Sequence, residues 1–556
     1  MYKQASAAQK LATLLESDYA GKSSNAHGVV FTPQNAAQHL VSGLELSESP
    51  LEELRILDPA CGSGILLCAV LKSLIAQKKI NTASDAAIFL ERSLYGIDRD
   101  PRALQISRLS MLLTLIEALP HNTEEHVKYF SRWKRNFYCG DFLAIRDDDL
   151  TSSFDSLSHS ELPHFTHIIA NPPYGLSRDD QIAPALLKHY KKHYQSVLAG
   201  KPNKYLLFFA RSLELLATNG KLSFLIPNSW LGIVSATKIR KILLQQGFLR
   251  TIDIVEDRSF VDRGVETVFV TAQKSSLPNF SLQRFHSANA PRAISRISLQ
   301  NREVLDSSTQ AIIPLYPSTK SAELWRTVSE NSIPLHLSGL PITPRIALQV
   351  YATGKGCPPQ TKEIVRAHSF HELVKSSEGS LPYLEGSDVK RFSISWSGSY
   401  LRYGEWVAEF QPIARYTGPR ILIREVLGKS PNLFIAAYTE EQFLYNRSIL
   451  HCIPSRYDEN SRDLFHGLTA LFNSHLASFF LTVQGRKASR RLFPKIVLDD
   501  LKFFPIPKEG GKALKKLSLL IDKESGQLKA GKEDELQAQV AELYGVTPTA
   551  IGEELK

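Results

Sequence analysis

Short apolar runs that stop at turn residues alternate with longer segments of helical period from about residue 28 to residue 273. This alternation is typical of a mostly parallel sheet, because each parallel strand needs a crossover helix to reach the next. The predicted parallel strands are the runs at 55–58, 94–98, 137–139, 167–170 and 222–226. Two later runs, 251–255 and 267–272, are too close for a crossover helix and predict an antiparallel hairpin. The expected fold class is α/β, with a mostly parallel seven-stranded sheet that includes this hairpin.

The length of the chain indicates more than one domain. Its 556 residues exceed the ~250 to 300 at which a single hydrophobic core stops growing. After residue 274 the alternation of strand-like and helical segments gives way to a stretch rich in Ser, Pro, Asn and Arg. Beyond it, short strand-like runs mixed with a helical segment at 464–483 predict an α+β domain. The Lys-, Glu- and Leu-rich C-terminal stretch predicts a helical pair or a loosely attached appendage. The predicted division is an N-terminal leader or helix at 1–27, a first domain at 28–280, a junction at 281–334, a second domain at 335–507 and a helical tail at 508–556.

Composition excludes some classes of protein without naming a partner. The formal net charge of +10 fits a solvated surface as well as a polyanionic partner. The five cysteines are far apart and lack the close pairs of a zinc site or a disulfide framework. No apolar signal region opens the chain, and no run reaches the ~18 to 20 apolar residues of a membrane span. We therefore expect a soluble cytoplasmic protein with reduced thiols, no metal site and no membrane partner.

A glycine-rich turn follows the first predicted strand and precedes a helix. Glycine lets the backbone approach a ligand closely, and the helix N-terminus presents unpaired N–H groups. Many nucleotide-binding folds share such a turn, and so do ordinary tight turns. The turn consists of Asp58, Pro59, Ala60, Cys61, Gly62, Ser63 and Gly64.

The next two strands also end at acids. Asp98 stands where a carboxylate can accept both hydroxyl hydrogens of a ribose, although it could simply cap the following helix. Asp141 can accept a hydrogen bond from an adenine amine, and Phe142 can cover the ring. An ordinary Gly-Asp turn is the alternative for Asp141. Together with the glycine-rich turn, the acids favour a nucleoside-containing ligand.

The segment Asn171-Pro172-Pro173-Tyr174 ends the fourth predicted strand. An amide, two prolines and an aromatic ring form a rigid lip, suited to holding a flat base by its exocyclic amine. Such an amine is a poor nucleophile, because its lone pair is delocalised into the ring. The Asn171 side-chain oxygen and the Pro172 carbonyl can each accept one N–H and free the lone pair, while Tyr174 stacks on the base. The alternative is a strand that ends in a plain Pro-Pro turn.

Taken in order, these elements resemble the γ-class, Taq-type methyltransferases that make N6-methyladenine in DNA. The resemblance implies a Rossmann-like, S-adenosylmethionine-dependent methyltransferase fold over about 26–273. The segment 28–33 is similar to the motif that encloses the methionine end of the cofactor. The implied catalytic residues are Asn171, Pro172, Pro173 and Tyr174. The implied cofactor-binding residues are Phe31, Thr32, Pro33, Asp58, Pro59, Ala60, Cys61, Gly62, Gly64, Asp98, Arg99, Asp141, Phe142 and Asn171.

The same resemblance reaches the target base and the second domain. It places Phe260 against the adenine opposite Tyr174, with a core position as the alternative. Looser matches at 381–389, 420–424 and 501–507 resemble the Taq-type specificity region and imply a C-terminal target-recognition domain. They assign no base-reading residue.

Two basic stretches, 181–213 and 484–495, contain no acid and predict contacts to DNA phosphates. Tyr190 and Tyr194 are interleaved with the lysines of the first stretch, which also contains Lys204 and Arg211. Either stretch could instead be a solvated face. The predicted DNA-binding residues are Lys188, Lys191, Lys192, Lys201, Arg486, Lys487, Arg490 and Arg491.

The function expected from the sequence is site-specific DNA adenine-N6 methylation of a flipped-out adenine. A restriction-modification or phage-defence system, or an orphan methylase, is the expected setting, with double-stranded DNA and a cognate endonuclease or defence subunits as partners. The expected location is the nucleoid of a bacterial or archaeal cytoplasm. The alternatives are a DNA-binding subunit active only with a partner and methyltransferases of RNA adenine, cytosine N4 or protein glutamine. Asn171 disfavours the cytosine enzyme, and the large second domain disfavours the glutamine enzyme.

Overall fold

The chain divides into two compact units, Met1–Ile313 and Pro314–Lys556, in a computed structural model. The division falls inside the stretch 281–334 that the sequence marks as a junction. The described residues are 32–130, 135–144, 162–174, 184–199, 203–257, 265–290, 292–307, 309–376, 379–455, 461–485, 487–488 and 494–556. No helix in these ranges is both long enough and apolar enough to cross a bilayer.

A single large sheet forms the centre of the first unit. Its strands, within the described ranges, are β1 (Ile56–Asp58), β2 (Leu94–Asp98), β3 (Phe137–Cys139), β4 (Phe165–Ala170), β5 (Leu216–Pro227), β6 (Leu249–Val255), β7 (Thr267–Gln273), β8 (Asn279–Phe285) and β9 (Ser295–Gln300). Their spatial order is β3-β2-β1-β4-β5-β7-β6-β8-β9. Strands β1 to β6 run in one direction, and β7 lies antiparallel between β5 and β6. The predicted α/β class and its antiparallel pair are confirmed.

The sheet has two more strands than the sequence predicted. Strand β8 pairs in parallel with β6, and β9 pairs antiparallel with β8. Part of the predicted junction at 281–334 therefore belongs to the sheet, and the expectation of seven strands was wrong. Strand β9 buries only Ile297 and Leu299 among exposed or half-exposed polar residues. Such a short alternation is a weak signal alone, and it forms a strand because pairing with β8 supplies the missing hydrogen bonds.

Helices connect the strands and cover the sheet. Those of the first unit, within the described ranges, are α1 (Gln34–Ser42), α2 (Ile65–Ala76), α3 (Ala83–Arg92), α4 (Pro101–Ala118), α5 (Thr123–Tyr129), α6 (Pro184–His193), α7 (Lys204–Leu215), α8 (Thr237–Gln245) and α9 (Asn301–Ser307). One hydrophobic core joins α1 to α4 to residues of the sheet. Local chemistry sets several helix starts: Thr82 and Asp85 form a capping box at α3, and Asp100 accepts from the Arg102 N–H at the start of α4.

The second unit is α+β, as predicted. Its strands are β10 (Ser332–Pro334), β11 (Ile342–Ile346), β12 (His371–Glu372), β13 (Ser380–Leu384), β14 (Val389–Lys390), β15 (Ser393–Ile394), β16 (Tyr400–Arg402), β17 (Arg420–Arg424), β18 (Ala436–Thr439), β19 (Leu444–Tyr445), β20 (Ile449–Pro454) and β21 (Pro505–Pro507). They form, in the described ranges, four-stranded sheets of order β11-β20-β17-β18 and β12-β16-β13-β19 and the pairs β10-β21 and β14-β15. A core of aromatic and aliphatic side chains from both four-stranded sheets fills this unit.

The helices of the second unit are α10 (Thr319–Glu330), α11 (Lys362–Ala367), α12 (Ser461–Phe472), α13 (His475–Gln484), α14 (Leu498–Lys502), α15 (Gly511–Ser518), α16 (Glu533–Leu543) and α17 (Pro548–Glu553). The single helical segment predicted at 464–483 is two helices. The chain breaks there because Ser474 caps α13, its hydroxyl accepting from the Ala477 N–H at 3.3 Å.

The C-terminal stretch 508–556, which the structure describes in full, is an integral part of the second unit. It has three helices, and α15 packs against α12. Arg391 donates to both carboxylate oxygens of Glu533 at 2.7 and 2.8 Å, and the Tyr544 hydroxyl donates to the Pro505 carbonyl at 2.6 Å. The predicted helical pair was wrong, because the stretch has three helices. The alternative of a loose appendage was also wrong, because the apolar faces of these helices are buried within the unit.

Candidate active site

A cavity of about 420 Å³ opens where strands β1 to β4 end. The carboxyl ends of parallel strands meet at one edge of a sheet, so residues that are distant in sequence share this space. The sequence-predicted residues that line the cavity are Pro59, Ala60, Gly62, Asp98, Arg99, Asp141, Phe142, Asn171 and Pro173. The elements identified separately along the chain therefore form one site.

The glycine-rich turn carries the backbone from β1 into α2. Gly62 and Gly64 have positive φ angles of 51° and 84°, a region that side chains disfavour. The Gly62 N–H donates to Asp98 Oδ2 at 2.9 Å and so joins the ends of β1 and β2. Gly64 lies against α4, where an added Cβ would be 2.4 Å from Ser107 Oγ and 2.9 Å from Ser107 Cα. Around Gly62 an added Cβ would meet nothing within 4 Å.

Replacing Gly64 with alanine is expected to destabilise the fold by more than about 3 kcal/mol, because backbone strain and a clash with α4 add together. Gly62→Ala is the matched control and should cost only about 1 to 2 kcal/mol, from backbone strain alone. Urea unfolding of both variants measures the difference. Equal losses of stability would show that close packing at Gly64 does not shape the turn.

Asp98 is held rigidly at the end of β2. Its Oδ1 accepts from the Asp100 N–H and its Oδ2 from the Gly62 N–H, each at 2.9 Å. Burial raises the pKa of this carboxyl above its usual range. Each oxygen keeps a second acceptor position, so the carboxylate can take two hydroxyl hydrogens from a ligand in the cavity.

Asp141 lies at the end of the cavity that helix α6 covers. Its Oδ1 accepts from the Leu143 N–H at 2.9 Å, and its Oδ2 accepts from the Tyr190 hydroxyl at 2.6 Å. Phe142 is 2 % exposed and packs against Phe208, with 5.2 Å between ring centroids. Most of the Phe142 ring therefore belongs to the core, and its edge faces the cavity.

Asn171 is the centre of a hydrogen-bonded group at the end of β4. Its Nδ2 donates to Thr32 Oγ1 at 2.9 Å, which fixes the amide and directs Oδ1. The Tyr174 hydroxyl donates to Asn171 Oδ1 at 2.6 Å and to the Leu225 carbonyl at 3.3 Å. The acceptor atom predicted to hold a substrate amine thus already bonds Tyr174. An amide oxygen has two acceptor positions, so a second donor can bond Oδ1 beside this hydroxyl or in place of it.

Three of the predicted cofactor residues shape the turn and do not line the cavity. Asp58 is 1 % exposed; its Oδ1 accepts from the Ala60 N–H at 3.1 Å, and its Oδ2 has no partner among the described residues. Burial, together with the charge of Asp98, raises the pKa of Asp58 to about 8. Cys61 lies in the core and Gly64 packs on α4. Pro33 stands immediately before α1.

The cavity also has walls that the sequence did not predict. These residues are Asp100, Pro101, Arg102, Gly140, Leu143, Tyr190, Lys204 and Phe208. The first four adjoin predicted strand ends and could have been found from that position. Tyr190, Lys204 and Phe208 come from helices α6 and α7, which reach the cavity through packing that no local pattern indicates.

The predicted DNA contacts are only partly within the described residues. Lys188, Lys191 and Lys192 are exposed on α6. Lys487 is half-buried, and its carbonyl accepts from the Lys495 N–H at 3.3 Å. The predicted residues outside the described ranges are Phe31, Lys201, Phe260, Arg486, Arg490 and Arg491.

Two basic residues and two aromatic residues of the first basic stretch are not at the surface. Lys204 is 8 % exposed and Arg211 is 1 % exposed, as are Tyr190 and Tyr194. Counting them as part of a phosphate-binding face was wrong. Tyr190 lies on the buried side of α6 and Tyr194 follows that helix. Helix α7, which carries Lys204 and Arg211, is buried at every residue except Glu214.

Comparison with known protein families finds two matches along the chain. Residues 92–260 match the family described as "Eco57I restriction-modification methylase". Residues 381–506 match the "TaqI-like C-terminal specificity domain". The chain therefore resembles an Eco57I-type methylase over the first range and a TaqI-like specificity domain over the second. The predicted resemblance to Taq-type adenine methyltransferases is confirmed.

Individual relatives are similar to part of the chain. The type II restriction enzyme and methyltransferase RM.Eco57I of Escherichia coli is 26% identical over 34% of this chain and 20% of its own length. The type II methyltransferase M.PaeR7I of Pseudomonas aeruginosa is 23% identical over 42% of this chain and 38% of its own length. The chain therefore spans well under half of these relatives. In fold, it resembles the type IIL restriction-modification enzyme MmeI solved in complex with DNA, with a TM-score of 0.54, 12% identity and coverage of 98% of this chain and 73% of that one.

Proposed function

We propose that the chain transfers a methyl group from S-adenosylmethionine to N6 of an adenine in double-stranded DNA. The observation that carries the proposal is that Asn171 and Pro173 of the lip line the same cavity as Asp98 and Asp141. An amide that holds an exocyclic amine is thus next to a site with acceptors for a ribose and an adenine. The TaqI-like specificity domain supports a nucleic-acid substrate.

The hydrogen-bond acceptors at the cavity fit S-adenosylmethionine. Asp98 would accept from the ribose hydroxyls and Asp141 from the adenine amine. Asp58 does not line the cavity, but its Oδ2 lacks a partner among the described residues, and its charge would favour the ammonium group of the ligand. The open space at Gly62 allows close approach of the ligand to the backbone. When bound, the cofactor supplies an electrophilic methyl group.

The residues of the lip activate the acceptor nitrogen. Asn171 Oδ1 and the Pro172 carbonyl accept the two amine hydrogens, which localises the nitrogen lone pair and directs it towards the cavity. Thr32 keeps the amide from rotating, because its Oγ1 accepts from Asn171 Nδ2 at 2.9 Å. Tyr174 leaves Asn171 Oδ1 and stacks on the base, with Phe260 as the proposed aromatic partner on the other face.

A paired adenine cannot reach this lip, because its amine is bonded to thymine. The proposal therefore includes extrusion of the target base, at a cost of a few kcal/mol that protein contacts must offset. Exposed Lys188, Lys191 and Lys192 on α6, with Lys201, Arg486, Lys487, Arg490 and Arg491, are the proposed phosphate contacts. The second unit is proposed to read the sequence that surrounds the adenine.

Mass spectrometry of nucleosides from treated duplex DNA tests the function. Purified chain, S-adenosylmethionine and plasmid DNA of varied sequence are expected to yield N6-methyladenine. RNA, cytosine and total protein, assayed in parallel, should stay unmethylated. Methylcytosine, methylated RNA or methylglutamine as the main product would instead select one of the alternative enzymes.

The biological setting is proposed from the relatives, whose names place them in restriction-modification systems. We infer that the chain protects DNA in a restriction-modification or phage-defence system, or acts as an orphan methylase, in a prokaryotic cytoplasm. Single-molecule sequencing of DNA from a host that expresses the chain alone should show methylation at one short motif. Methylation that requires a co-expressed partner would identify the chain as a modification subunit.

A further inference from the structure

The structure places an unassigned tyrosine in the wall of the cavity. Tyr190 lies on helix α6, is 1 % exposed and lines the cavity beside Asp141. No motif at the ends of the strands includes it, and α6 begins more than forty residues after Asp141 in the chain. Its hydroxyl reaches the carboxylate because the helix packs over this end of the site.

The contact between the two side chains is short and charge-assisted. The Tyr190 hydroxyl donates to Asp141 Oδ2 at 2.6 Å, within the range of strong hydrogen bonds to a carboxylate. Burial, together with the charge of Asp141, raises the pKa of Tyr190 above its ordinary value. The hydroxyl therefore keeps its proton, and it acts as a donor across the pH range in which enzymes work.

The second oxygen of Asp141 is fixed as well. Asp141 Oδ1 accepts from the Leu143 N–H at 2.9 Å, and Arg99 Nε lies 4.0 Å from Oδ2. A carboxylate held at both oxygens cannot rotate about its terminal bond without losing a hydrogen bond. The acceptor positions that remain free on each oxygen thus point in fixed directions.

We propose that Tyr190 is a positioning residue that makes the Asp141 end of the cavity selective for a 6-aminopurine over a 6-oxopurine. The inference rests on the proposed cofactor site and deepens it. A carboxylate accepts hydrogen bonds and has none to donate. Held in one orientation, it accepts from the amine of adenine, whereas the 6-oxo oxygen of hypoxanthine would bring a second negative partial charge against it. A carboxylate released from Tyr190 can turn, and its free oxygen can accept from the N1–H of hypoxanthine.

Tyr194 provides a matched control for this role. It follows α6, is also 1 % exposed, and its hydroxyl donates to the Leu143 carbonyl at 3.2 Å. It does not line the cavity. Tyr190→Phe and Tyr194→Phe each remove one buried hydroxyl from the same region, so their loss of stability should be similar, and only the first should change ligand selectivity.

Calorimetric titration with S-adenosylhomocysteine and S-inosylhomocysteine tests the inference. Wild type should bind the adenosyl ligand more tightly, and Tyr190→Phe should reduce the ratio of the two affinities by at least about tenfold, the usual effect of one hydrogen bond to a charged group. Tyr194→Phe should keep the wild-type ratio. In turnover, Tyr190→Phe should raise KM for S-adenosylmethionine and change kcat by less than about threefold, because the reacting atoms lie at the other end of the ligand.

The outcomes separate this inference from the proposed function. An unchanged ratio in Tyr190→Phe, with binding intact, would overturn the role of Tyr190 and leave the function standing. Equal shifts in Tyr190→Phe and Tyr194→Phe would also overturn it, since general loosening of α6 would then explain both. Failure of wild type to bind S-adenosylhomocysteine would overturn the proposed cofactor site and this inference with it.

Discussion

Replacing Asn171 with alanine is expected to lower the rate of methyl transfer at least about 1,000-fold. The loss follows from removing the one side-chain oxygen at the lip that can hold the substrate amine. The Asn171 side chain is hydrogen-bonded to Thr32 and Tyr174, and neither of these residues belongs to a strand, so its truncation should leave the sheet intact. Single-turnover rates with saturating DNA and cofactor measure the chemical step directly.

Two further variants distinguish the role of the Asn171 oxygen from general disturbance of the site. Thr32→Val keeps the shape of residue 32 and removes the acceptor that orients the amide, so about a tenfold loss of rate is expected. Asn171→Asp keeps an acceptor and adds a charge in a buried position, and it should also be impaired. A Thr32→Val variant as inactive as Asn171→Ala would contradict the assignment of Asn171 as the group that contacts the amine.

Tyr174 should respond differently to the loss of its hydroxyl and of its ring. The hydroxyl donates to Asn171 Oδ1, and a substrate amine at the same oxygen would compete with it. Tyr174→Phe removes this competition and keeps a stacking surface, so its rate should stay within about fivefold of wild type. Tyr174→Ala removes the stacking surface and should be strongly impaired.

The sequence predicted those parts of the site that local pattern and topology determine. Asp98, Asp141 and Asn171 follow strands, and the carboxyl ends of parallel strands necessarily meet at one edge of the sheet. The glycines of the turn were likewise predictable, because positive φ angles and close approach to α4 tolerate little else. Each of these features depends on a few neighbouring residues and on the order of the strands.

Features that depend on packing between residues far apart in sequence could not be predicted from the sequence. Tyr190 and Lys204 look like members of a basic surface in sequence, but α6 and α7 turn them inwards to the cavity. The hydrogen bond from the Tyr174 hydroxyl to Asn171 Oδ1 was likewise not indicated by the sequence, which predicted Tyr174 only as a stacking ring. Strand β9 carries too few apolar residues to be recognised without β8 beside it, and β8 in turn pairs with β6.

The affinity of the wild-type chain for S-adenosylhomocysteine is expected to increase by up to about tenfold per pH unit between about pH 6 and pH 7.5. The pKa of Asp58 in the free protein is raised to about 8, so its carboxyl carries a proton through this range. In the proposed cofactor site, the charge of a ligand ammonium favours the ionised form of this carboxyl, so binding should release that proton. Because the ligand's own amine stays protonated below about pH 7.5, its titration does not produce the slope. Calorimetry in buffers of different ionisation enthalpy counts the released protons.

Asp58→Asn is the informative variant, because affinity and stability should change in opposite directions. Its affinity should be weaker and nearly independent of pH, since the amide neither titrates nor offers a charge to the ammonium.

In the free wild type, the folded-state pKa lies above the ordinary value of 3.8, so the folded chain binds more protons than the unfolded chain between these values. The stability that this carboxyl contributes is complete below pH 3.8 and is lost as the pH rises through about 8. The amide of the Asp58→Asn variant has no such loss, and urea unfolding should show the variant gaining at least about 2 kcal/mol on wild type between about pH 5 and pH 8. A variant that is less stable than wild type at every pH and keeps the wild-type pH dependence of binding would remove Asp58 from the cofactor site.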